Sequence, residues 1–262
     1  MNEHPPLSTP PSSNALLESR AALDLMTLPF RMTQLGLSST ENIGKGRRVC
    51  VLPGFGAGDG SMYPLRYFLE QHGFKTSGWG LGTNRAGLDR PHDPHAISWV
   101  ADIPKPYNGE AGVPHLCDLM VEQVQKAHLK HGERIALVGW SLGGTIAREV
   151  ARDLPDIVDH VVTLGSPLLG GPKYTAAAPL MAKRGLNLDW IEEEVNRRNQ
   201  IPLQCKASAI FSPTDGVVDV SASKIPEDNN TQYIQVDVAH LGMGINSETL
   251  NYVLQALGSV NQ

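Results

Sequence analysis

Short apolar runs alternate with longer amphipathic ones along most of this chain. "RRVCVLPG" (47–54), "FKTSGWG" (74–80), "RIALVGW" (134–140), "IVDHVVTLGSP" (157–167), "CKASAIFSP" (205–213) and "TQYIQVDV" (231–238) are brief, rich in β-branched and apolar residues. Most end at glycine or proline, and they predict strands. Between them, "SMYPLRYFLEQHG" (61–73), "PHLCDLMVEQVQKAHLKHG" (114–132), "LGGTIAREVARDLP" (142–155) and "SETLNYVLQALG" (247–258) carry helical spacing. The first two of these close on a glycine, a common helix stop. Several strands are apolar on both faces, so the pattern predicts an α/β fold with a mostly parallel central sheet flanked by helices.

The ends and the insertions complete the outline. Residues 1–13, rich in proline and serine, read as a mobile tail, and residues 14–262 as one domain. From Asn14, a possible N-cap, to about Leu28, the positions Leu16, Leu17, Leu23, Leu25, Met26 and Leu28 suit a helix. Simple packing on the body is its default role, with a pocket cap or a membrane-surface contact as the others. Two stretches, 80–112 and 168–204, are inserted between core elements. In the second, "YTAAAPLMAKRGL" offers an apolar stripe and "LDWIEEEVNRR" an amphipathic helix. They read as a small cap or lid over a cleft, or as ordinary packing.

Composition narrows the classes. With 262 residues, 41% hydrophobic and 19% charged, the chain can bury a substantial core. A net charge of −5 without a long basic block excludes an electrostatic nucleic-acid binder. No stretch is apolar and long enough to span a bilayer, and the first residues lack a basic and apolar leader, so a cytoplasmic location is expected. Three cysteines cannot all pair; Cys50 and Cys205 fall in strand-like runs and read as buried free thiols. Nothing in the pattern fixes the oligomeric state.

The chemistry begins at "GWSLGG" (139–144), where Ser141 sits between glycines at the join of a strand and a helix. A serine hydroxyl becomes a nucleophile only when a base takes its proton and a carboxylate holds that base. Ligands of a parallel sheet gather at the carboxyl ends of its strands. Two later loops follow strands in this way. "FSPTDGVV" places Asp215 in a turn, with Asp219 and Asp237 as rival acids, and "VDVAHLGMG" places His240 before the last helix. Of nine histidines, His240 alone follows the last strand, whereas His128, His131 and His160 suit surface or structural roles.

These features in order resemble the α/β-hydrolase family, and within it bacterial lipases and esterases. The matching stretches are "PGFGAGDGSM" at 53–62, "GWGLGTN" at 78–84, "GWSLGGTIAREVA" at 139–151, "VVTLGSP" at 161–167, "SPTDGVV" at 212–218 and "AHLGMG" at 239–244. The resemblance implies an α/β-hydrolase fold with a small cap or lid insertion. It also implies a serine hydrolase that cleaves carboxylic esters through an acyl-enzyme on Ser141, with Asp215 and His240 completing the triad. Gly139 and Gly143 match the family's tight nucleophile turn. The oxyanion donors would be the backbone N–H groups of Leu142, at the start of a helix, and of Phe55. Many relatives have His-Gly where this chain has Pro53-Gly54. A small-molecule or lipid ester is the expected partner, with a short or medium acyl group favoured. The same residues would serve an acyltransferase, and a binding protein that kept the fold without catalysis is the remaining alternative.

No cofactor is expected. The glycine-rich loop after Pro53 lacks the lysine of a phosphate-binding loop, which removes the nucleotide reading. His92, Asp93 and His95, with His115, Cys117 and Asp118, are residue types that ligate metal, but their intervals are not diagnostic and no metal is expected.

Overall fold

All six predicted strands form, and they lie side by side in one sheet. A computed structural model describes residues 6–37, 41–86, 112–225, 228 and 230–259. The strands are β1 (Arg48–Leu52), β2 (Lys75–Gly78), β3 (Ile135–Trp140), β4 (Val158–Leu164), β5 (Lys206–Phe211) and β6 (Thr231–Gln235). Their spatial order is β2-β1-β3-β4-β5-β6, and every pairing is parallel. All six carboxyl ends therefore point to one edge.

The two-residue period of a strand explains why both faces are apolar. Val49, Val51, Ala136, Val138, Val162 and Ile210 pack into one core with residues of α3 (Tyr63–Gln71) and α8 (Ser247–Gly258). Cys50, Leu52, Ile135, Leu137, Val161 and Ala207 pack into the other, with residues of α4 (Val113–His131) and α5 (Leu142–Asp153). Fully burying one such aliphatic side chain stabilises by about 1.5–3 kcal/mol, so this double layer dominates the folding energy. Among the described residues no helix is long and apolar enough to cross a membrane.

The N-terminal helix departs from its prediction. It forms in two pieces, α1 (Asn14–Leu17) and α2 (Arg20–Leu37), and α2 runs through Pro29 well past Leu28. A proline removes one helical N–H and usually marks a boundary, which is why the pattern stops there. Asn14 is not the N-cap; Ser13 holds that position without a side-chain cap. The Asn14 amide instead donates to the carbonyls of Pro213 and Asp215, at 2.9 and 3.2 Å. The segment 168–204 folds as a 3-10 turn (Gly171–Tyr174), α6 (Ala178–Lys183) and α7 (Leu188–Asn199). Arg198 ties α7 to α5 through Glu149 at 2.6 Å and Asp153 at 2.9 Å. Most of the expected cap segment 80–112 lies outside the described residues, as do His92, Asp93 and His95.

Candidate active site

Ser141 occupies a strained turn between β3 and α5. Its φ of 54° and ψ of −125° lie where a residue with a Cβ rarely sits, and such a conformation costs about 1–3 kcal/mol. Its N–H still continues the sheet, donating to Leu164 O at 2.8 Å. The neighbouring glycines let the turn close. A Cβ on Gly139 would strike the backbone of Gly143, one on Gly143 would strike the Leu52 and Pro53 carbonyls, and one on Gly144 would strike Ser166.

The two groups expected to activate Ser141 meet each other. His240 Nδ1 and Asp215 Oδ2 are 2.7 Å apart, with both side chains buried. The other carboxylate oxygen, Asp215 Oδ1, accepts the N–H groups of Val217 and Val218, each at 2.7 Å. With both oxygens engaged, the carboxylate has a single orientation. The Nδ1 position of His240 is thereby occupied, which leaves Nε2 as the nitrogen available to a hydroxyl. Trp140 supports the same ring: its indole N–H donates to His240 O at 3.1 Å, and the ring centroids are 5.5 Å apart.

The rival acids are occupied elsewhere. Asp219 caps the 3-10 turn Val220–Ser223 by accepting Ser221 N–H. Asp237 is exposed, pairs with Arg20 at 3.1 Å and accepts from Thr214.

The loop after β1 lies directly over the serine turn. A Cβ on Gly54 would come within 3.1 Å of Ser141 Cβ and 3.0 Å of the Trp140 ring. Buried Asn84 holds this loop: its N–H donates to Ala57 O, its amide to Pro53 O, and its carbonyl accepts Gly56 N–H. Asp59, in the same loop, accepts Trp79 N–H at 2.9 Å and Gly80 N–H at 3.2 Å. Leu142 is the first residue of α5, so its N–H has no acceptor within the helix. Phe55, Ser141, Leu142 and His240 line one cavity of about 310 Å³. Met181, Leu186, Trp190 and Ile191 of the 168–204 segment form much of its apolar wall, and Glu149, Glu194 and Arg198 add polar groups.

The sequence pattern did not single out Gly165, Asn84, Asp59 or Trp140. Each lies in or beside a family-like stretch, but its partner is remote in the chain. Gly165 carries the clearest signal, a glycine immediately after a central strand. Its φ is +52°, and a Cβ there would lie 2.9 Å from Asp215 Oδ2 and 3.1 Å from His240 Nδ1.

Among the described residues, no three His, Cys, Asp or Glu side chains gather as metal ligands. His115, Cys117 and Asp118 lie near the start of α4, with Cys117 buried. All three cysteines are buried free thiols, and burial pushes Cys50 and Cys205 up to about 11.

Comparison with known proteins extends this picture. A family model described as alpha/beta hydrolase fold matches residues 45–202. The pimeloyl-[acyl-carrier protein] methyl ester esterase of Vibrio vulnificus is 33% identical over 103 residues. That match covers 38% of this chain and 37% of the relative, so it spans little more than a third of either. Among solved structures, Bacillus licheniformis lipase BlEst2 in mature form aligns with a TM-score of 0.59 at 11% identity. The alignment covers 81% of this chain and 92% of the lipase. The monoacylglycerol lipase of Paleococcus ferrophilus aligns at 0.54 and 14% identity, over 85% and 96% of the two chains. At these identities the structural likeness speaks for the fold alone. Sheet, helix layers and the family match over 45–202 converge: the chain belongs to the alpha/beta hydrolase fold family.

Proposed function

We propose that this protein is a serine hydrolase of carboxylic esters. The observation that carries the reading is the buried His240–Asp215 hydrogen bond, at 2.7 Å, on loops that follow β5 and β6. His240 lines the same cavity as Ser141, which stands in its strained turn after β3.

In this mechanism His240 Nε2 takes the Ser141 hydroxyl proton as Oγ forms a bond to the substrate carbonyl carbon. The carbonyl electron pair moves onto oxygen, where the N–H groups of Leu142 and Phe55 receive it; one such donor is worth about 3 kcal/mol in the transition state. The C–O bond to the alcohol then breaks, and His240 returns the proton to the departing oxygen. Water, deprotonated by the same imidazole, then attacks the acyl carbon; the bond from that carbon to Ser141 Oγ breaks, His240 returns the proton to Oγ, and the acid leaves. Asp215 keeps Nδ1 protonated and stabilises the imidazolium. No metal or cofactor enters these steps.

The cavity, at about 310 Å³, falls at the lower end of the roughly 300–1,000 Å³ of small-molecule sites. Its largely apolar wall favours a short or medium acyl chain. The partial match to a relative named for a methyl ester of an acyl-carrier-bound acid supports an ester with a small alcohol. Hydrolysis of p-nitrophenyl esters from acetyl to palmitoyl tests the proposal, with Ser141→Ala as control. Turnover that depends on Ser141 and peaks at short or medium chains is expected. Turnover unchanged in Ser141→Ala, or none at any length, would overturn it.

A further inference from the structure

Glu18 takes no part in the proposed bond-making steps, yet its carboxylate is bonded to both loops that carry the His–Asp pair. It sits between α1 and α2. Its Oε1 accepts the N–H of Gly216 and the N–H of His240, each at 2.8 Å, and Oε2 accepts the N–H of Leu241 at 3.0 Å. Gly216 follows Asp215 directly. One side chain from the far end of the sequence therefore joins the backbone of the proposed acid loop to that of the proposed base.

Shape supports the hydrogen bonds. A Cβ on Gly216 would lie 2.7 Å from Asn14 O and 2.9 Å from Glu18 Cγ. One on Gly242 would lie 2.9 Å from Asp24 Oδ2. Both loops thus carry a glycine where the N-terminal helices press closest. Asn14 adds its bonds to the Pro213 and Asp215 carbonyls, and Asp24 Oδ1 accepts from the Asn246 amide at 2.9 Å.

The local chain supplies no substitute. His240 opens a 3-10 turn (His240–Gly242), and Ala239, at the capping position, has no side chain that could accept its first N–H groups. Glu18 does so from 222 residues away.

We propose that Glu18 is a positioning residue: it fixes the His240 backbone against the Asp215 loop and thereby sets the angle of the imidazole toward Ser141. The proposal rests on the serine-hydrolase reading above. If Glu18 only anchored the N-terminal helices, loosening those helices by any route would have the same effect on turnover.

The test compares kcat and KM of the full-length protein on a p-nitrophenyl ester of the best chain length. Glu18→Ala is expected to lower kcat by about 10- to 100-fold with KM within twofold, the scale of a reacting group displaced by a fraction of an ångström to an ångström. Glu18→Gln keeps one oxygen for Gly216 and His240, so its kcat should fall between those of wild type and Glu18→Ala. Arg20→Ala releases α2 from the Asp237 carboxylate and carbonyl, leaves the Glu18 bonds at Gly216, His240 and Leu241 in place, and should keep wild-type kcat. A kcat for Glu18→Ala within twofold of wild type, a change confined to KM, or an equal fall in Arg20→Ala would each overturn the proposal. If Glu18→Ala does not fold, Glu18→Gln decides: a reduced kcat at unchanged KM supports it, and a kcat within twofold of wild type overturns it. Wild type without Ser141-dependent turnover would instead remove the reading beneath it.

Discussion

Replacing Gly165 by alanine would insert one methyl carbon against the His240–Asp215 pair. Ordinary carbon contacts begin at 3.4 Å, and the new atom would start 2.9 Å from Asp215 Oδ2 and 3.1 Å from His240 Nδ1. The pair must therefore give way by about 0.3–0.5 Å, because overlap at that distance rises too steeply to be tolerated. The residue would also have to hold a φ of +52°, which costs an alanine about 1–2 kcal/mol. Displacement on this scale should lower kcat/KM by about 10- to 100-fold, or about 1.4–2.7 kcal/mol of transition-state stabilisation. Gly165 does not line the cavity, so KM should stay near its wild-type value. Steady-state kinetics on a p-nitrophenyl ester would measure the first effect, and urea unfolding the second. A folded Gly165→Ala protein with activity within twofold of wild type would mean that the 2.7 Å His240–Asp215 bond is irrelevant to turnover or freely adjustable, contrary to this geometry.

Two further outcomes follow from strain and burial. Ser141→Gly relieves about 1–3 kcal/mol of backbone strain and gives back about 0.4–1 kcal/mol through the freer unfolded chain. It should therefore be inactive yet about 1 kcal/mol more stable than Ser141→Ala, a difference to be read by thermal melts; equal stability would contradict the strain at this turn. His160 is buried in β4, with Nε2 3.1 Å from Ser208 Oγ, and burial lowers its imidazole from 6.5 to about 4. The unfolded chain takes up this proton first, so the stability from the neutral ring is present above pH 6.5 and lost as pH falls toward 4. About 2 kcal/mol should go between pH 7.5 and 5, out of about 3 kcal/mol in all. His160→Gln should flatten that part of a urea-measured stability profile, and an unchanged slope would contradict it.

The parallel sheet was legible because its strands are short apolar runs bounded by glycine or proline, and because local pattern governs such runs. The positions of Ser141, Asp215 and His240 at carboxyl ends followed from the same alternation. Remote contacts were not legible. Nothing local to Glu18 indicates three backbone N–H partners some 200 residues away, and nothing in "VVTLGSP" states that Gly165 faces a carboxylate. Asn14 has the residue type of a helix cap, but its amide is taken by the acid loop. In α2, the packing of Asp24 against Gly242 of the His240 turn and hydroxyl bonds such as Thr33 Oγ1 to Pro29 O accompany a helix that propensity alone would end. Within 168–204 the amphipathic helix expected at "LDWIEEEVNRR" forms as α7, but its tie to α5 through the buried Arg198–Glu149 pair, 49 residues apart, had no local signal.

Covalent labelling by a fluorophosphonate, with the modified residue located by peptide mass spectrometry, asks most directly whether Ser141 is the nucleophile. If His240 activates Ser141, phosphonylation will be stoichiometric at Ser141 and strongly slowed in His240→Ala. Absence of label, or label at any other serine, would contradict it.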